Sequence, residues 1–137
     1  MPSATFTTVI TASALVAGAA LSAAIPALAA IGGAHTPGAR ATASVNADGT
    51  VLRSTGVTSV RKIATGMYCI ELDPDINAAK TVPVATKRWG APGWDTTVFI
   101  SSVPYGCGDP ARNILVATGR VSGGTTPLDV PFHIVVD

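Results

Sequence analysis

The sequence predicts an all-β fold, a small antiparallel β-sandwich with one disulfide. Three observations carry this. Beyond Arg40 the chain is a series of short runs of Val, Ile and Thr broken by Gly and Pro. No window there repeats apolar residues at helical spacing. Cys69 and Cys107 are the only cysteines, and they follow a segment that reads as an export signal. About seven short strands, at roughly 8–12-residue spacing, is the pattern of a sandwich or barrel.

The chain first presents an uncharged stretch, with no Asp, Glu, Lys or Arg before Arg40. Residues 9–28 are almost all Ala, Val, Leu, Ile, Ser and Thr, and they close on Ala27-Leu28-Ala29-Ala30. An apolar run followed by small residues at alternating positions is how a signal peptide presents its cleavage site. The expectation is a signal peptide over residues 1–29, cleaved after Ala29. The usual early Lys or Arg is missing from Met1-Pro2-Ser3-Ala4-Thr5-Phe6. The competing reading is a retained anchor over residues 10–31, since a bilayer needs roughly 20 apolar residues. Against it stand the Ala, Gly and Ser content, Pro26, and the lack of a basic flank. Residues 30–40, with Gly32, Gly33, Pro37 and Gly38, read as a flexible leader before a domain over 41–137.

Within the domain, residues 41–47 alternate Ala41, Ala43, Val45 and Ala47 with Thr42, Ser44 and Asn46, a half-buried strand. Asp48-Gly49 carries the type I′ hairpin signal, with residues 50–53 as the returning partner. Residues 57–63 follow Gly56, and Thr65-Gly66 turns the chain into 67–72. There Tyr68, Ile70 and Leu72 share one face; Met67, Cys69 and Glu71 share the other. Asp73-Pro74-Asp75 breaks the sheet, and residues 76–80 fit one helical turn. Residues 81–86 carry Pro83, which donates no ladder hydrogen bond and belongs on an edge or a bulge. Residues 87–95 form a loop, 96–103 the strongest strand, and 104–112 a second loop holding Cys107. Residues 113–121 and 132–136 are the last strands, joined by the Gly- and Thr-rich 122–131.

All nine basic and all eight acidic residues lie from Arg40 onward. With no basic stripe, nucleic acid is not the implied partner. A domain of about a hundred residues buries about two-thirds of its unfolded surface and gains from a staple. In an oxidising compartment Cys69 and Cys107 pair, closing a loop of about forty residues worth about 4 kcal/mol on the chain-entropy model. That bridge would pin the 104–112 loop to the sheet.

The phrases Asn46-Ala47-Asp48-Gly49-Thr50, Gly56-Val57-Thr58-Ser59-Val60, Thr65-Gly66-Met67-Tyr68-Cys69-Ile70 and Pro131-Phe132-His133-Ile134-Val135-Val136 resemble a small β module of secreted actinobacterial proteins and of the ends of collagen-like or phage-tail-like chains. The resemblance covers most of residues 41–137. It implies a compact β fold without an assigned activity, and it carries over no catalytic residue. The chain has no collagen-like repeat, so a stalk-tip role is not supported.

Candidate chemistry is sparse. His35 sits in the leader. His133 alternates with Phe132, Ile134 and Val136 and should face solvent; as a base it would need an orienting acid and a nucleophile, for which only Asp129 and Ser122 are near in sequence. Glu71 with Asp73 or Asp75 is the one carboxylate pairing, set against a simple turn. Asp73, Asp75 and Asn77 lack the glycine and terminal Glu of a calcium loop. No catalytic residue, metal or cofactor is therefore assigned.

The best binding candidate is the 87–95 loop. It holds Lys87, Arg88 and both tryptophans, Trp89 and Trp94, and Tyr105 would join them if the two loops meet. Trp and Arg are enriched at binding hot spots, and indoles stack on sugars and cations. The competing reading has one or both indoles capping an open end of the core. The sequence thus points to a secreted or envelope-associated, non-catalytic binding domain for an extracellular glycan, cell-wall polymer or protein, with no membrane contact once the signal is removed. The alternatives are a small secreted hydrolase using Glu71 or His133, and a protease inhibitor presenting the loop from Pro104 to Arg112 as a protruding extended segment.

Overall fold

The computed structural model describes residues 38–101 and 103–137. The expected signal peptide, most of the leader and His35 lie outside the described residues.

Among the described residues nine strands run in chain order: β1 (Ala41–Val45), β2 (Val51–Thr55), β3 (Val57–Ala64), β4 (Met67–Leu72), β5 (Pro83–Lys87), β6 (Thr96–Ser101), β7 (Asn113–Arg120), β8 (Thr126–Pro127) and β9 (Phe132–Val136). They form two antiparallel sheets. The first has the order β2-β1-β9-β5, the second β3-β4-β7-β6 with β8 paired to β7. The all-β sandwich expected from the sequence is the fold. One 3-10 turn, Ala78–Lys80, lies inside the expected helical turn; Asn77 caps it by accepting from the Ala79 N–H at 3.0 Å.

The sheets meet at two corners. β2 and β3 are nearly one strand that crosses between sheets at Gly56. A Cβ there would lie 2.3 Å from the Arg40 carbonyl oxygen, and φ is +67°, so only glycine makes this corner. β5 and β6 meet at the other corner. Pro83 opens β5, an edge strand, where its missing N–H breaks no ladder.

The β1–β2 connection departs from the expected type I′ turn. That turn needs positive φ at both central residues. Only Gly49 has it, at 90°, and among the described residues none other than glycine has a positive φ. The loop is wider, closed by Asn46 N–H to the Thr50 carbonyl at 2.8 Å and Gly49 N–H to the Asn46 carbonyl at 2.9 Å, beside a bulge at Ser44/Val45. The Asp48 carboxylate accepts from the Thr50 N–H and hydroxyl, holding the aspartate out of the left-handed region.

Strand alternation fills the core between the sheets. Ala41, Ala43, Val45, Phe132, Ile134 and Val136 come from one sheet; Tyr68, Ile70, Leu72, Ile114 and Val116 come from the other. Tyr68 and Phe132 meet edge to face at 5.2 Å. The Tyr68 hydroxyl donates to the Ala47 carbonyl at 2.6 Å, and burial with the nearby Asp129 charge pushes its pKa up to about 12.

A second, smaller cluster lies on the outer face of the second sheet. Cys69 and Cys107 are bonded there, with Leu115 and Met67 packed around them. The expected bridge therefore forms, and it lays the 104–112 loop over the sheet. Arg61 donates to the Cys107 carbonyl at 2.8 Å from the edge strand β3.

Candidate functional site

The 87–95 loop leaves the end of β5 and returns at the start of β6. Its base is fixed by polar contacts to three other elements. Lys87 Nζ donates to the carbonyls of Trp94 at 2.9 Å and Thr96 at 3.1 Å, drawing the two limbs together. The Arg88 N–H bonds the Pro131 carbonyl at 2.9 Å, while its guanidinium donates to Asn46 Oδ1 at 2.9 Å and the Val45 carbonyl at 3.3 Å. Asp95 pairs with Arg120 at 3.0 Å and accepts from the Ser122 hydroxyl; its carbonyl takes the Val121 N–H at 2.9 Å. The Ser122 bond, which outweighs desolvation, and after it the Arg120 charge hold the Asp95 carboxyl below the usual carboxylate range.

On this base stand both indoles. Trp89 is 88% exposed and Trp94 85% exposed. They meet edge to face, 6.0 Å between centroids and 76° between planes. The Lys87 ammonium lies 5.9 Å from the Trp94 ring centre, within cation–π reach. Lys87, Arg88, Trp89, Gly90, Ala91, Gly93 and Trp94 line an open concavity of about 410 Å³. The core-cap reading of the tryptophans fails: both rings are exposed, and neither belongs to the core cluster or to the half-buried side chains packed against it.

Four of the five expected surface residues, Lys87, Arg88, Trp89 and Trp94, come together here. Tyr105 does not line this concavity. It is 71% exposed on the loop that follows the opposite end of β6. That second loop is built of turns, with Cys107 N–H to the Pro104 carbonyl at 3.0 Å and Arg112 N–H to the Asp109 carbonyl at 3.1 Å. It is not the extended backbone that an inhibitor presents.

The candidate catalytic groups are dispersed. Glu71 accepts from Ser59 at 2.9 Å and faces Arg112 at 3.4 Å, a structural pairing. Asp73 accepts from Thr58 at 2.9 Å. Asp75 offers its backbone carbonyl to Arg40 at 2.6 Å. His133 is exposed, as its alternation required. Asp129 binds Lys62 at 2.6 Å, the Gly66 N–H at 2.7 Å and Tyr68 at 3.3 Å, and Ser122 binds Asp95, so neither serves His133. Neither Glu71 nor His133 lines the tryptophan concavity. Among the described residues, no three His, Cys, Asp or Glu side chains converge as metal ligands. No helix among them is long and apolar enough to cross a membrane.

The chain matches no protein-family model, no curated protein and no solved structure.

Proposed function

We propose that the protein is an exported, non-catalytic β-sandwich that binds an extracellular or cell-wall glycan through Trp89 and Trp94. One observation carries the reading. Both tryptophans of the chain stand almost wholly in water on a loop braced at its base. A tryptophan buries a large apolar area when it finds a partner, and leaving two exposed forgoes that gain. A braced loop has already lost the freedom that binding would otherwise remove, which favours affinity. Two indoles at a steep angle offer apolar faces for sugar rings, and Lys87 and Arg88 supply donors for hydroxyls at the margin. The disulfide is compatible with an oxidising, extracytoplasmic setting.

A binding screen on soluble and insoluble cell-wall polysaccharides tests the reading. The wild-type protein is retained by at least one, and Trp89→Ala/Trp94→Ala is released while its melting temperature holds. Retention by the double variant, or its unfolding, overturns the proposal. Intact mass of the exported protein reads the cleavage after Ala29 on the same sample.

A further inference from the structure

The outer face of the first sheet carries a row of polar side chains, and among the described residues the Ser44 hydroxyl in it has no hydrogen-bond partner. Register places Arg53 on β2 opposite Ser44 on β1, Ser44 opposite His133 on β9, and His133 opposite Thr86 on β5. Ala43, Val45, Phe132 and Ile134 point into the core, so Ser44 and His133 between them point outward. Arg88 stands just beyond the end of β5, its guanidinium reaching Asn46 and the Val45 carbonyl next to Ser44.

Two features make this row unusual. Ser44 is only 3% exposed, and its hydroxyl oxygen has no hydrogen-bond partner among the described residues. A buried hydroxyl without a partner is destabilising unless something reaches it. The charges are also unbalanced. The ion pairs among the described residues are Lys62–Asp129, Arg112–Glu71 and Arg120–Asp95, and none includes Arg53 or Arg88. Burial first, then the cationic Arg88 and Arg53, hold the His133 pKa below its usual value, and no carboxylate among the described residues offsets the two charges. From the other strands this face receives Thr42 and Ser44 on β1 and Val84 and Thr86 on β5, none of them charged.

We propose that Arg53, His133 and the Ser44 hydroxyl, with Arg88 at their margin, bind an oxyanionic group, the carboxylate, sulfate or phosphate of an acidic glycan. Guanidinium groups match the geometry of such anions, and a buried O–H adds a short donor beneath them. Arg88 lines the tryptophan concavity, and its guanidinium reaches the Val45 carbonyl beside Ser44 at 3.3 Å. That continuity makes the anion a substituent of the sugar stacked on the indoles, a step that rests on the glycan reading of that concavity.

The test uses the full exported chain, with inorganic phosphate as the free ion, polygalacturonate as the acidic glycan and dextran as the neutral one. Phosphate raises the NMR titration midpoint of His133, because the bound anion favours the imidazolium. Native gels containing polygalacturonate retard the protein, more strongly at about pH 5.5 than at about pH 8 as His133 gains its proton, and dextran gels do not. Arg53→Gln weakens retardation about tenfold or more, the scale of one charge-assisted bond. Ser44→Ala weakens anion binding several-fold yet raises the melting temperature of the free protein, because the unmet hydroxyl is gone. No His133 shift with either anion, or the same shift in Arg53→Gln, overturns the anion site. Retardation that survives Trp89→Ala/Trp94→Ala but falls with Arg53→Gln supports the anion site and removes the tryptophan reading. Loss with the tryptophan variant while the phosphate shift persists supports both.

Discussion

Two loops leave opposite ends of β6, and they are held in opposite ways. The 104–112 loop is tied by Cys69–Cys107 and lies on Leu115 and Met67, so it covers apolar surface. The 87–95 loop is tied by Lys87, Arg88 and Asp95 through polar contacts, and it exposes apolar surface. The first arrangement adds stability by burial and by restricting the unfolded chain. The second adds little, because exposed ion pairs are worth about 0–1 kcal/mol and uncovered indoles gain nothing. What it achieves is fixed placement of two rings in water. A small domain can hold such a loop because its stability is supplied at the other end of the same strand.

The largest expected effect separates these roles. Cys69→Ala/Cys107→Ala should cost about 2–5 kcal/mol, typical for losing a native bridge from a small exported domain, read by urea unfolding followed by circular dichroism. Leu115→Ala, which hollows the cluster beneath the bridge, should cost about 2–4 kcal/mol. Trp89→Ala/Trp94→Ala should stay within about 0.5 kcal/mol of wild type. Tryptophan emission gives an independent check. Both tryptophans are already solvated in the native state, so emission should be red-shifted before unfolding and should barely move through the dichroism transition. A blue emission that shifts red with unfolding would mean that the 87–95 loop is packed, and the contrast between the loops would vanish.

The sequence carried the fold further than the site. Period-two alternation put Tyr68, Ile70 and Leu72 on one shared face and His133 outward, and both hold, because strand geometry leaves a side chain only two directions; the structure makes that shared face the core side. Pro83 marked an edge for the same kind of reason. The Asp48-Gly49 turn was misjudged because the aspartate satisfies the Thr50 hydrogen bonds locally without entering the left-handed region. β8 escaped notice because two residues in a Gly- and Thr-rich linker have no period; what makes them a strand is the neighbouring stretch Gly119–Arg120 of β7. Composition found the tryptophan loop, yet it could not say whether the rings were core or surface, since a loop has no periodicity to read. Tyr105 was grouped with them by residue type, while the path of β6 sends it to the far end. The Arg53–Ser44–His133 row was invisible, as it exists only through the register of three strands.

The smallest effect sharpens the contrast between covalent and polar attachment. Among the described residues Asp95 is the carboxylate that braces the tryptophan loop, bonding Ser122 and Arg120 across its base. Its folded pKa lies below the unfolded value, held down first by the Ser122 bond. A carboxyl depressed in this way contributes above its unfolded pKa, near 3.9, and the contribution fades as pH falls through the folded value. Acid should therefore loosen the 87–95 loop below about pH 4, while the disulfide, which does not titrate, keeps the 104–112 loop in place. Steady-state anisotropy of the two tryptophans should drop in that range ahead of any change in far-ultraviolet dichroism. Asp95→Asn should show the lower anisotropy already at neutral pH and no further acid step. A profile that is flat in wild type, or an acid step that persists in Asp95→Asn, would mean that Lys87 and Arg88 brace the loop without the carboxylate.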